Sequence, residues 1–448
     1  MPFTIRTLFQ FAFFLSLLAG TPAVHACGQG GATCPSSGQP AAQPSNVVQV
    51  GAGNPINVIT GNKYQREVDM PALPGVLGLE IVRHYNSSLS GPQTRPGALG
   101  RGWRLSYESS LYVTPTGITV DQADGSQVMF GHDPGRENVL LPRDPAQGRM
   151  EIVTTRRGDE YLWTWADGRK LRFNVRGHLE QIEAPTGEML TMQYDTRGLL
   201  VRVTDPQGRS LQLHWLDSDT AKRADRFRGV QTIDSPVGRF SYGYGSERPK
   251  GATVAPAGLL ANLVKVSYPT AGQGRRYHYE SALHPTLMTG ISIDGLDAKG
   301  KPASMRYATF GYGADGRANL STHANDVDKV TLVYTSPETT TITNSLGKKT
   351  TYRFRSFYSE DRLLEVRGAG CSLCGEPNLR YGYDKLGRLT EVTKLSVQGE
   401  PIQTIKTTLD HYGRPVTEAG IAYVNGKAAT EQRLARYEYG AGRPATRA

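Results

Sequence analysis

Long apolar runs are scarce in this chain of 448 residues, and after the first 26 none could span a bilayer as a helix. No later stretch combines Ala, Leu and Glu at a helical period, which argues against an all-α fold. The formal net charge is +10, but no basic block with interleaved aromatics stands behind it. Its arginines are spread along the chain and often follow a turn glycine, as at Arg169, Arg209, Arg239, Arg317, Arg388 and Arg414. That distribution suits solvated turns and not a nucleic-acid groove. Catalytic signatures are equally sparse. There is no His-Glu-x-x-His, no Gly-x-Ser-x-Gly elbow, no phosphate loop ending in Gly-Lys-Ser/Thr, and no Asp-Thr-Gly or Asp-Ser-Gly. Cysteine is limited to Cys27, Cys34, Cys371 and Cys374.

Turn formers and tyrosine are plentiful. Glycine occurs 51 times and Tyr outnumbers Phe by 22 to 12, the balance expected of many short strands joined by tight turns. Residues 1–26 read as a signal peptide: Arg6 supplies a positive start, Leu8 to Leu18 an apolar core, and Val24-His25-Ala26 a cleavage site. Lipidation at Cys27 is disfavoured by His25, where a small residue is wanted. The expectation is an exported chain, in the periplasm, on the cell surface or secreted, with no membrane span once the signal is removed. Residues 27–46, rich in Gly, Pro, Ser and Gln, read as a flexible leader.

From 47 to 135 short apolar stretches alternate with Pro and Gly turns, as in a β-rich cap. Ile118-Thr119-Val120 and Gln127 to Phe130 flank Asp124-Gly125, a hairpin signal. Residues 136–448 carry a repeat. Phe173, Tyr194 and Trp215 fall 21 residues apart, and Gly177/Gly198, Ile182/Val203, Pro185/Pro206 and Gly187/Gly208 keep the same offset. Within one unit, Leu199, Val201 and Val203 alternate with Leu200, Arg202 and Thr204, which gives a strand with one more apolar face. Asp205-Pro206-Gln207-Gly208 then makes a turn, and Leu211, Leu213 and Trp215 face inward on the return strand. A single hairpin cannot bury that face, so neighbours must stack. Less regular units continue to Tyr437-Glu438-Tyr439, so the array is expected to stop in mid-repeat.

The run Tyr383-Asp384-Lys385-Leu386-Gly387-Arg388-Leu389, with Val392-Thr393, resembles the tyrosine-aspartate (YD) repeat of Rhs proteins and toxin-complex C subunits. Tyr194-Asp195-Thr196-Arg197-Gly198 opens a second copy, in which Leu199 stands where the motif has Arg. Asn54-Pro55-Ile56-Asn57, Thr60-Gly61-Asn62-Lys63, Arg83-His84-Tyr85-Asn86 and Leu99-Gly100-Arg101-Gly102-Trp103 resemble the domain that precedes such repeats. The resemblance implies an all-β fold, a partial curled or spiral shell of antiparallel hairpins behind a β-rich cap. It further implies a non-catalytic scaffold of a polymorphic-toxin or contact-dependent competition system, one that encapsulates or docks a separately encoded Rhs fragment or toxin. The alternative is a surface protein that binds carbohydrate or another cell, and the last a hydrolase.

Tyr194, Asp195, Gly198, Pro206, Gly208, Tyr383, Asp384, Gly387 and Arg388 are expected to shape the repeat. Cys27 with Cys34, and Cys371 with Cys374, are the simplest disulfides, with connectivity left open. Cys371 and Cys374 have redox spacing but sit in a Gly-rich loop, which favours a structural bridge over redox or zinc chemistry. Trp163 and Trp165 share a strand face and either stack on glycans or pack in the core. His84 as a base and Asp124 as an acid are the residues a hydrolase would use, although Asp-Gly is ordinary turn chemistry. No metal or cofactor is expected, and no nucleic acid.

Overall fold

The computed structural model describes residues 50–144, 147–165, 167–216, 227–254, 256–357, 360–370, 376–411, 413–439 and 446–447. All four cysteines, and with them the expected disulfides, lie outside the described residues, as do the signal peptide and leader. The fold is almost entirely β and contains one antiparallel sheet of 28 strands that is not closed. From Ser110–Thr114 onward each strand pairs with the next in chain order, apart from the small hairpin at Lys427–Ala428. Among the described residues no register joins the last strand, Thr446–Arg447, to the first. The sheet nevertheless curls on itself, because Leu111 N–H reaches the carbonyl of Gly177 at 2.7 Å, beside a bridge from Ser110 to His178.

The expected turn at Asp124-Gly125 joins Gly117–Asp121 to Gln127–Asp133, with Val120 opposite Val128. The next hairpin straddles position 135, pairing Gln127–Asp133 with Arg136–Pro142 through a register shift at His132 and Asp133. The sheet thus begins inside the segment read as a cap. The rest of that segment, residues 50–109, forms a separate three-stranded sheet of Tyr64–Met70, Ile81–Asn86 and Trp103–Leu105. It lies against the inner face of the large sheet.

One hydrophobic cluster joins Leu79, Ile81, Tyr85, Trp103 and Tyr107 of this insert to inward residues of the sheet from Ile118 to Phe310. A second packs Ala52, Ile56, Val58 and Ile59 against Val330, Leu332, Ile342, Tyr352, Phe354 and Val366. A row of paired residues shows how this core is made. Met192 faces Val203 and Val203 faces Leu211, at 4%, 0% and 0% exposure. Continuing the inner face past the insert, Tyr381 faces Val392 and Val392 faces Ile405, and all three are only half-buried.

Candidate functional site

The repeat unit is built from three devices. The first is the turn. Gly198 N–H bonds the Asp195 carbonyl at 2.9 Å, and the Asp195 side chain accepts the N–H groups of Arg197 and Leu199, each at 2.9 Å. Asp205 and Asp384 repeat the arrangement. Burial alone would raise the Asp384 carboxyl, but hydrogen bonds from Arg388 and Leu386 outweigh it and hold it below the ordinary range. Gly198 is at φ +82°, and a β-carbon there would sit 2.8 Å from the His178 ring, so both backbone and space demand glycine. Arg388, Arg209 and Arg414 each turn back on their own turn aspartate at 2.7 Å. Much of the positive charge is therefore neutralised locally.

The second device is a β-bulge. Gln193 pairs with Arg202 but Tyr194 pairs with Leu200, leaving Val201 as the extra residue. A bulge bends the strand and re-aims the side chains beyond it. The apolar face is therefore Leu200 and Val203, both buried, and not the expected alternation of Leu199, Val201 and Val203. The return strand follows expectation, with Leu211 and Leu213 buried.

The third device is the aromatic residue at the start of each unit. Tyr194 OH donates to the carbonyl of Leu179 at 2.7 Å, and Trp215 Nε1 donates to that of Leu200 at 2.8 Å. Tyr244, Tyr279, Tyr334, Tyr383 and Tyr439 do the same to Val230, Leu263, Ala318, Leu363 and Pro415. In every case the acceptor is the residue just before a bulge, where the ladder is interrupted. The aromatic residue of one unit thus satisfies the weak point of the unit before it. This explains why Trp can stand at position 215, since both rings carry a donor at the far end of a flat apolar body.

The four motifs of the insert act as fasteners. Arg83, fully buried, donates to both carboxylate oxygens of Asp69 at 2.6 and 2.8 Å and to Tyr277 OH at 2.7 Å, and lies 4.7 Å from the Trp103 ring. Tyr242 OH closes the group on Asp69 at 3.1 Å. Tyr85 OH accepts Met288 N–H at 2.9 Å, and the Lys63 ammonium, pushed down by burial, sits 4.3 Å above Phe310. Asn62 donates to Asn86, and Asn86 to the Asp124 carbonyl, so Thr60–Lys63, Arg83–Asn86 and the Asp124 turn form one chain of hydrogen bonds. The hydrogen bonds among these links span up to 203 residues, and no local pattern reveals them.

The candidate acid and base are part of this packing. His84 is buried, with Nδ1 on Tyr64 OH at 2.8 Å and Nε2 on Ser106 Oγ at 3.0 Å. Burial, then the charges of Arg66 and Arg83, push its pKa down to about 3. Asp124 accepts two hydrogen bonds from Ser126, and burial raises its pKa to about 6. Neither presents a free functional group to solvent. Trp163 is 0% exposed and donates to the Gln147 carbonyl, while its ring stacks on Trp165 at 4.5 Å. Arg169 covers Trp165 from 4.6 Å. Trp163 is thus packed in the core, and Trp165 is partly buried against it. Among the described residues no three His, Cys, Asp or Glu are grouped to hold a metal. No helix among them is long and apolar enough to cross a membrane.

A curled, insert-filled β-repeat scaffold is the class that this architecture defines. Residues 53–130 match a family described as a domain of unknown function (DUF6531), and residues 173–210 match the RHS repeat. The chain is 23% identical over 374 residues to the probable deoxyribonuclease RhsB of Dickeya dadantii (strain 3937), covering 81% of this chain and 22% of that protein. Among solved structures it is similar to a chain of the Photorhabdus luminescens Tc holotoxin pore, at 13% identity and TM-score 0.32, over 73% of this chain and 20% of the other. The TcdB2–TccC3 complex gives 12% and 0.32, over 84% and 22%. The chain spans about a fifth of the length of each of these relatives. It is an Rhs protein with YD repeats.

Proposed function

We propose that this chain is an exported, non-catalytic Rhs scaffold that encloses or docks a separately encoded partner, an Rhs fragment or a toxin, in a toxin or contact-dependent competition system. The observation that carries the proposal is the inner face beyond the insert. There the row Tyr381, Val392 and Ile405 continues a wall whose equivalents Met192, Val203 and Leu211 are buried, yet is only partly buried. An apolar wall that is covered along one part and open along the next offers a surface for a further polypeptide. Export rests on Arg6 and the apolar run from Leu8 to Leu18. The non-catalytic reading is supported by His84 and Asp124, which are both buried and held by Tyr64, Ser106 and Ser126.

The test is affinity capture of the tagged mature chain from the envelope of its own cells, followed by identification of what co-purifies. A stoichiometric fragment carrying Rhs repeats, or a toxin, supports the scaffold. Capture of the chain alone, together with retention on a glycan column, overturns it in favour of a carbohydrate-binding protein. A defined activity lost on His84→Ala or Asp124→Asn in a folded protein would overturn the non-catalytic reading.

A further inference from the structure

Between the insert and the inner face of the sheet lies a cleft of about 790 Å³, within the range of small-molecule sites. Its wall is apolar and aromatic, formed by Leu213, Trp215 and Tyr194. The polar tips of those rings are already engaged, Trp215 Nε1 on Leu200 and Tyr194 OH on Leu179, so ring surface and not hydrogen-bonding edge is on offer.

Positive charge also lines the cleft. Arg95 and Arg228 have no acidic partner among the described residues. Arg104, also on the lining, donates to the Gln122 carbonyl at 3.3 Å and lies within electrostatic reach of Glu108 and Asp124. The carboxylate in the lining, Glu108, is turned to the backbone, accepting Ala98 N–H at 2.7 Å and Leu105 N–H at 2.6 Å. His178 adds a further sign of an absent partner. Its Nδ1 is buried without a hydrogen bond where this cleft meets a neighbouring one of about 560 Å³.

We infer that this cleft binds a small organic anion, a flat aromatic body carrying a carboxylate. The body lies on Trp215 and Tyr194, and the carboxylate lies towards Arg95 and Arg228, whose planar guanidinium groups suit two-pronged carboxylate binding. A neutral ligand of the same shape would leave those charges unanswered. A cleft that only excludes water would not distinguish the two.

The probe pair is 2-naphthoate and 2-naphthamide, which differ in charge and little in shape, titrated calorimetrically against the mature full-length protein. Naphthoate is expected to bind at one site at least tenfold more tightly than naphthamide, and to weaken with added salt. The R95Q/R228Q double variant should lose at least tenfold in naphthoate affinity and leave naphthamide within twofold. R388Q, in a distant repeat, should change neither. Equal affinities for the two probes, no binding of either, or naphthoate affinity unchanged in R95Q/R228Q would each overturn the proposal. Each single variant, R95Q and R228Q, is measured alongside. A double variant that misfolds therefore still leaves two readings, and neither single variant weakening naphthoate would be decisive against the site.

Discussion

Two stretches of the same sheet obey the same local rules and differ in what lies against them. Around the insert, the row Met192, Val203 and Leu211 is sealed, while beyond it Tyr381, Val392 and Ile405 are only partly buried. The turns are alike in both, with Asp205–Arg209 and Asp384–Arg388 clasped at the same 2.7 Å. The aromatic fasteners are alike too, Tyr194 and Tyr383 donating at 2.7 Å. Repeat geometry is thus set within the repeat, whereas burial comes from a segment more than a hundred residues away in sequence. Hydrophobic stabilisation follows the apolar area removed from water, so the two stretches should share a shape and differ in stability.

The largest effect should come from unpairing the buried ion pair of the insert. Asp69→Ala strands Arg83 without its counter-charge at a site where both side chains are 0% exposed, and is expected to cost about 3–5 kcal/mol in urea unfolding. Comparable unfolding of Glu365→Ala, whose partner Arg380 is half-exposed, should show well under 1 kcal/mol. Next, Leu211→Ala is expected to cost about 2–5 kcal/mol and Ile405→Ala about 1 kcal/mol or less, because the second residue has less buried area to lose. If the two costs were equal, the open stretch would have to be covered in solution.

The pH dependence sharpens the same contrast. Asp124 is held near 6 in the fold against about 3.9 when unfolded. As pH rises from about 4 to 6, the unfolded chain releases a proton that the folded chain retains, so this group removes stability, roughly 3 kcal/mol in all. His84 acts in the opposite sense. Held near 3 in the fold, it removes stability as pH falls below about 6.5, where the unfolded chain takes up a proton first. Asp124→Asn should therefore gain stability relative to the parent between pH 4 and 6 and hold that gain above. A flat difference across that range would exclude the buried carboxyl as its origin. A last contrast lies in the repeat aromatic residues. Tyr194→Phe is expected to cost about 1–3 kcal/mol by leaving the Leu179 carbonyl unmet, and Tyr439→Phe, near the surface, only a few tenths.

Much of the array could be read from the order of residues. The 21-residue offset located the hairpins, and Asp205-Pro206-Gln207-Gly208 is the turn it was expected to be, with Gly208 N–H on the Asp205 carbonyl at 3.0 Å. The bulge was not legible. A single extra residue, Val201, shifts the inward set by one, and strict alternation has no place for it. The purpose of the repeat tyrosine was hidden for a related reason, since its acceptor exists only once the preceding strand has bulged. The insert was the least legible. Arg83, His84 and Lys63 are residue types that usually face water, and their partners Asp69, Tyr277 and Phe310 include two drawn from far along the chain. Sequence could mark Arg83-His84-Tyr85-Asn86 as a motif without showing that every position in it would be buried.

The donation from each aromatic residue to the unit before it runs in one direction only. During synthesis from the N-terminus, a hairpin capped in this way leaves the ribosome with a carbonyl whose donor arrives with the next stretch of polypeptide. A nascent chain therefore always carries one unfinished joint at its growing front, which moves forward as translation proceeds while the joints behind it are closed. The order of manufacture and the order of completion coincide, and this favours folding that advances steadily from the first hairpin instead of waiting for the whole molecule.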